Sequence, residues 1–366
     1  MATTTTNYSL VKPSPVDPVD ITVINHNLDV IDRVLNAAEV FIKAVGSGID
    51  PTGTTESTSA IQTKLASVPS GGCLVFPAGT FLVHGLHLTA SNVAIRGQGR
   101  GITTLKLKDS TNDYVLYCNT PGLADFSISD LTVDGNKANN TSAGTAISFQ
   151  GTSATVAPIT GIRIDRVNIV NPNGIGIGIG GATDFSVSDC QVTSSGDNGF
   201  DCNGVARGTY SSCTAKSAAT DGFFVGDHTC SDVTYLSCSA VDCGHSGFDV
   251  DAITGDTVVD IRYVACTSTG VTTYDGWRVV GDGTVGSVVI QLVSCQAKAG
   301  ARDGYAVGAA ASATFGDCRA TGNAGKGVED YGSAFIQFLG GDLSGNNTAG
   351  LTAVTSRYRD TVGKDV

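Results

Sequence analysis

The sequence predicts an all-β chain wound into a parallel β-helix, and three observations carry that prediction. Glycine is plentiful and proline scarce, 47 against 9 in 366 residues, with 15% charged residues. That balance suits many short strands and tight turns better than helices. From Asp125 onward a unit of the form apolar, x, apolar, x, x, small or apolar, x, apolar returns at steps of 23 to 36 residues. Most of these units have no room for a helix, so each reads as one coil of a β-solenoid. Finally, a glycine follows each cysteine of the unit at a nearly fixed distance, which marks a rigid corner joined to loops of adjustable length.

Taken in order, residues 1–45 form an N-terminal segment. Ile24, Leu28, Ile31, Leu35, Ala38 and Ile42 step by 4, 3, 4, 3 and 4, an a/d seam for a short helix that packs on its own domain or self-associates. Residues 46–70 read as a Gly/Thr-rich linker (46–55) and a short helix from Glu56 to Leu65, with Ile61 and Leu65 on one face, suited to plugging the open end of a sheet domain. Residues 71–358 are the coils, and 359–366 a C-terminal tail. No separate C-terminal domain is expected after the last coil.

The unit appears as Phe126, Ile128, Leu131, Val133 and as Ile162, Ile164, Val167, Ile169, and then with cysteine at its sixth position. Cys190, Cys213, Cys238, Cys266, Cys295 and Cys318 are expected to stack as an interior ladder of small buried residues, since in-register parallel neighbours make poor disulfide geometry. Gly199, Gly222, Gly247, Gly304 and Gly327 follow by nine residues, and Gly276 by ten. One position after these glycines stand Phe200, Phe223, Phe248, Trp277 and Tyr305, which should face inward. Two positions after them stand Asp201, Phe224, Asp249, Arg278, Ala306 and Glu329, which should face outward in register. The Gly/Ile alternation at 174–181 reads as a strand held tight against a neighbour rather than a phosphate loop.

Two stretches resemble known families. Asp50-Pro51-Thr52-Gly53, the helix after it, Phe76-Pro77-Ala78-Gly79-Thr80, and Asn92-Val93-Ala94-Ile95-Arg96-Gly97-Gln98-Gly99 resemble the opening of pectate-lyase-like right-handed β-helix proteins. With the coils, the resemblance spans residues 44–358 and implies a right-handed parallel β-helix. Lys12-Pro13 and Val19-Asp20, followed by Ile24-Asn25-His26-Asn27, resemble the N-terminal segment of phage and prophage tail spikes and fibres. That resemblance implies a homotrimer attached to other tail or baseplate proteins, a place in the virion tail after synthesis in the host cytoplasm, and a host-surface polysaccharide as partner.

Composition narrows the rest. A net charge of -12 repels phosphate backbones, so nucleic acid is not an expected partner. Neither a secretory signal nor an apolar run long enough for a membrane helix is present, so membrane insertion is not expected. Eleven cysteines without a signal read as thiols, and none falls at zinc spacing.

The candidate chemistry lies on the outward columns. Asp249 and Asp251 flank Val250 on one strand and are candidates for the acid and base of inverting glycoside hydrolysis, which needs carboxyls about 6.5–9.5 Å apart. Asp227 is a third candidate, with His228 to orient or relay protons. Asp201, Arg278, Phe224, Tyr274 and His245 are candidate substrate contacts: carboxylate and guanidinium for hydroxyls or acidic groups, aromatic rings for stacking. Asp221, Asp275 and Asp303, each directly before a corner glycine, read as structural hydrogen-bond acceptors. Three other readings of the patch stand open. It can bind glycan without cleaving it, form the solvated face of an ordinary β-helix, or hold Ca²⁺; no other cofactor is expected. A free-standing lyase or hydrolase is disfavoured by the tail-like N-terminal segment.

Overall fold

The computed structural model describes residues 40–142 and 144–347, together with the backbone of three two-residue strands at Thr3–Thr4, Val11–Lys12 and Leu351–Thr352. The described chain is a right-handed parallel β-helix of about 12 turns, with 4% helix. One face is an eleven-stranded parallel sheet in which Leu86–His87, Leu116–Cys118, Ile147–Gln150, Ile177–Gly180, Phe200–Asn203, Phe223–Gly226, Phe248–Asp251, Trp277–Val280, Tyr305–Gly308, Val328–Tyr331 and Leu351–Thr352 stack in sequence order. The other strands between Phe41 and Asp342 stack the same way into two further faces, while Thr3–Thr4 and Val11–Lys12 pair antiparallel with each other. These faces join where Ala124–Asp134, Ile159–Val170 and Ser312–Thr321 run round a corner and pair on both sides of it.

That corner has a backbone cause. Asp130, Arg166, Asp189, Ser212, Ser237, Ala265, Ser294 and Asp317 all adopt left-handed φ between 48° and 58°, each one residue before the ladder position. The turn throws the next side chain inward, so Leu131, Val167 and the six ladder cysteines are buried. Their thiols are free and donate to backbone carbonyls, as Cys266 Sγ does to Tyr235 O at 3.3 Å. All eleven cysteines are buried and none forms a disulfide. Native protein is therefore expected to be silent to Ellman's reagent, and protein in guanidinium to release eleven thiols; substantial native reaction or a shortfall after unfolding would contradict the ladder.

The glycine before each strand of the eleven-stranded sheet from Ile177–Gly180 to Tyr305–Gly308 is needed for close approach rather than for left-handed φ. A Cβ on Gly222 would lie 2.6 Å from Gly247 O and 2.7 Å from Ala240 Cβ, and one on Gly276 2.5 Å from Gly304 O. Successive coils touch there through their backbones. Inside, Phe200, Phe223, Phe248, Trp277 and Tyr305 form a stack with centroid spacings of 4.7, 4.9, 4.5 and 5.2 Å. Tyr210, Tyr235 and Tyr263 form a second stack that meets the first edge-on.

At the N-terminal end the helix Thr58–Ala66 buries Ile61 and Leu65 against the first coils. The coils begin earlier than the sequence suggests. Phe41–Lys43 is a strand paired with Cys73–Val75, so Ile42 belongs to the β-helix and not to the helical seam. Thr52–Glu56, expected within a linker, is a strand whose ends pair with Thr80 and Leu82. Parallel backbone partners across the coil outweigh the local helical spacing at Ile42. Positions 24–39 of the seam lie outside the described residues, as do the tail-like motifs apart from the backbone of Val11–Lys12.

Candidate functional site

The outward column of the eleven-stranded sheet has the register that its spacing predicts. Asp201 pairs with Phe224, Phe224 with Asp249, Asp249 with Arg278 and Arg278 with Ala306. Two residues on, Asn203, Gly226, Asp251 and Val280 form the neighbouring column. This face is not freely solvated: Asp201 is 7% and Asp249 6% exposed.

The two strand aspartates converge on one cation. Arg278 Nη1 donates to both Asp249 oxygens at 2.9 Å and to Asp251 Oδ2 at 3.3 Å. Two acceptors so near one nitrogen are closer together than the roughly 6.5–9.5 Å that inverting hydrolysis requires. The pair is therefore a clamp on Arg278, and the extended-strand estimate fails because both side chains lean toward the next coil. Burial, and after it the charge of Asp221, push Asp249 well above the usual carboxylate range while Arg278 opposes them. Burial also raises Asp221, whose Oδ1 accepts the Ser246 N–H at 2.7 Å. Asp275 and Asp303 likewise accept the next coil's N–H, from Asp303 and Lys326. These three acids thus have the structural bonds read from the sequence, and Asp221 also adds charge behind the clamp.

Asp227 stands beside the clamp. It follows Gly226, the strand partner of Asp251, and its left-handed φ of 58° turns it out of the sheet. A Cβ on Gly226 would lie 2.0 Å from Asp251 O, so only glycine admits this approach. Burial of the carboxyl, and after it the charge of Asp251, raise the Asp227 pKa. Asp201 accepts from Asn198 Nδ2 at 2.9 Å, yet burial raises it to about 6.

The remaining candidates fall at the edges. His228 is 67% exposed, with Nδ1 3.9 Å from Asp256 Oδ2, and it opposes the rise of the Asp227 pKa. Tyr274 and His245 meet edge-to-face at 5.1 Å in the turns that precede the site strands, where the Arg302 guanidinium lies 5.4 Å above the Tyr274 ring. Phe224 is in the column, between Asp201 and Asp249. Arg302, which also donates to Tyr331 Oη at 2.6 Å, escapes sequence reasoning because it sits in a loop outside the counted columns. Among the described residues no group of three or more His, Cys, Asp or Glu converges as a metal site.

The buried acid at Asp201 makes a pH test. Its folded pKa lies above its unfolded value, so its contribution to stability is full below about pH 4 and lost as pH rises past about 6. Wild type is expected to lose about 3 kcal/mol from this group between those limits. Asp201→Asn should remove this group's part of the fall in denaturant midpoint between pH 4.5 and 7.5, leaving the part due to other buried acids such as Asp275; an unchanged fall would contradict the assignment.

The parallel β-solenoid agrees with comparison to known proteins. The family model for rhamnogalacturonase A/epimerase, pectate lyase-like, matches residues 41–249. The chain belongs to this family. Within the pectate-lyase-like fold, the A-module of mannuronan C-5 epimerase AlgE6 from Azotobacter vinelandii superimposes with a TM-score of 0.60 at 18% identity, covering 86% of this chain and 97% of that one. An N-terminal fragment of bacteriophage phi29 gene product 12 gives 0.54 at 14% identity, over 93% and 75% of the two chains. Polygalacturonase from Erwinia carotovora gives 0.52 at 12% identity, over 87% and 94%. These three share the fold. A curated relative, alginate lyase 7 of Azotobacter vinelandii, is 35% identical over 100 residues, which is 24% of this chain and 12% of that protein.

Proposed function

We propose that the chain is a phage tail spike or fibre protein that binds a host cell-surface polysaccharide and cleaves it by hydrolysis. The observation that carries this reading is the placement of Asp227 beside Asp251, with Asp251 anchored on Arg278 and Arg278 fixed from behind by buried Asp249. Asp227, whose pKa is raised, is the proton donor to the leaving glycosidic oxygen. Asp251 serves the anomeric carbon, directly or through water. Asp249 is a positioning residue. The relatives support a polysaccharide substrate, since their names include a lyase, an epimerase and a polygalacturonase, and the phi29 protein supports a phage setting.

Hydrolysis is favoured over uronate elimination by charge. The column offers one cation, Arg278, whose charge is already countered by two aspartates at its Nη1, so a sugar carboxylate would meet a surface that is acidic on balance. Binding without cleavage is the second reading, favoured by the same clamp, which holds Asp251 in place. Trimerisation through the remaining seam positions, 24–38, and attachment through the segment that precedes the strand Phe41–Lys43 complete the proposal on sequence grounds. Incubation with purified host-surface polysaccharide decides between the readings. Release of reducing ends without unsaturated-uronate absorbance is expected; stable binding without release would leave the receptor-binding role, and unsaturated products would replace hydrolysis with a lyase.

A further inference from the structure

The sheet that carries Asp249 has a second recessed region near its N-terminal end. Between the capping helix and the first strands lies a cleft of about 770 Å³. Its floor is aromatic: the His87 imidazole stacks on Tyr117 at 4.4 Å and 6°; Tyr114, 38% exposed and next in the chain to the lining residue Asp113, leans on Tyr117 at 5.2 Å from outside the lining. Its walls are polar. His84 stands between two acids, with Nε2 4.0 Å from Glu56 Oε1 and Nδ1 3.8 Å from Asp113 Oδ2. The Gln62 side chain exchanges hydrogen bonds of 2.8 and 2.9 Å with the His87 backbone, which fixes the helix to the strand. His87 Nε2 is buried with no protein partner. Such an orphan, beside an aromatic floor and walled by hydroxyl acceptors, calls for a ligand or water to complete it.

We propose that this cleft is a second carbohydrate site, which holds a neutral sugar ring of the same polymer against Tyr117 and Tyr114. The position supports one polymer for both sites. His87, Tyr117, Ser148, Gly178, Asp201, Phe224 and Asp249 lie in one unbroken outward column. Tyr117 is five strands from Asp249, about 24 Å at the spacing of paired strands. Charge selects neutral sugars: Glu56 and Asp113 line the cleft and no lysine or arginine does, so sugar hydroxyls are accepted and a polyanion is repelled. Sugar rings stack on tyrosine with their apolar faces while their hydroxyls reach the wall. The inference rests on the chain recognising a polysaccharide, and not on Asp227 and Asp251 cleaving it.

The test uses the full chain carrying Asp251→Asn, so that ligand persists. A panel of neutral hexasaccharides (glucan, galactan, mannan and N-acetylhexosamine) and polygalacturonate is titrated while the His84 and His87 imidazole signals are followed by NMR. At least one neutral hexasaccharide is expected to move those signals. Adding Tyr117→Ala should weaken that binding about tenfold, and Tyr114→Ala, at an exposed ring, should weaken it without risk to the fold. No response to any neutral hexasaccharide, undiminished binding by both tyrosine variants, or equal binding of polygalacturonate would overturn the proposal. Failure of the cleavage reading would appear separately, as absent reducing-end release by the wild type.

Discussion

Asp227→Asn and Asp251→Asn are each expected to lower kcat on the host polysaccharide by about 10²–10⁴-fold, the usual weight of a positioned proton-transfer group. Both residues lie at the solvent edge of the site, and neither substitution empties buried space, so melting temperature should barely move. Asp249→Asn separates the roles. It removes one of the two carboxyl oxygens that accept from Arg278 at 2.9 Å, so it should lower stability measurably and change kcat less than its neighbours do. The wild-type rate should fall as pH rises past the raised pKa of Asp227, because the donor must be protonated to act. If Asp249→Asn alone abolished turnover with Asp227→Asn active, the assignment of donor would be wrong.

Trp277→Ala is expected to carry the largest stability cost, about 3–5 kcal/mol. The ring is fully buried and stacked between Phe248 at 4.5 Å and Tyr305 at 5.2 Å. Trp277→Phe should cost less than about 1.5 kcal/mol. Phenylalanine already fills this column at positions 200, 223 and 248, and the change deletes an indole N–H that is buried without a partner. Denaturant midpoints of the two variants check the contrast; an alanine variant as stable as the phenylalanine one would show that the stack is not what holds these coils together.

The coils were legible in the sequence because a parallel solenoid writes its register into spacing. Cysteine, glycine and aromatic positions recur at fixed offsets, and the pairing of Asp249 with Arg278 followed from counting alone. The reason for the glycines was not legible. Their backbones meet those of the next coil, a contact no single coil displays. The N-terminal limit was misread at Ile42, where helical spacing in one segment hid a strand whose partners lie some thirty residues on. In the site, the columns were readable but the side-chain directions were not. Asp249 and Asp251 look like a spaced acid and base until Arg278 draws them together, and the column spacing does not show His228 beside Asp256. The His87–Tyr117 cleft escaped because the repeat was phased only from Asp125 onward, although both residues occupy the same outward column.

Every strand of the site sheet between Phe200 and Tyr305 places a stacked ring on its inner side and a site position on its outer side. The floor under the substrate is therefore the back of the most tightly stacked part of the core, and it cannot yield to a ligand without unstacking rings. Induced fit is left to the rim. Residues 252–257 and 281–287 follow the site strands as loops, and there Ile253 is 46% and Val285 77% exposed. A chain built on this plan would change its ligand preference by exchanging rim loops over a floor that stays fixed.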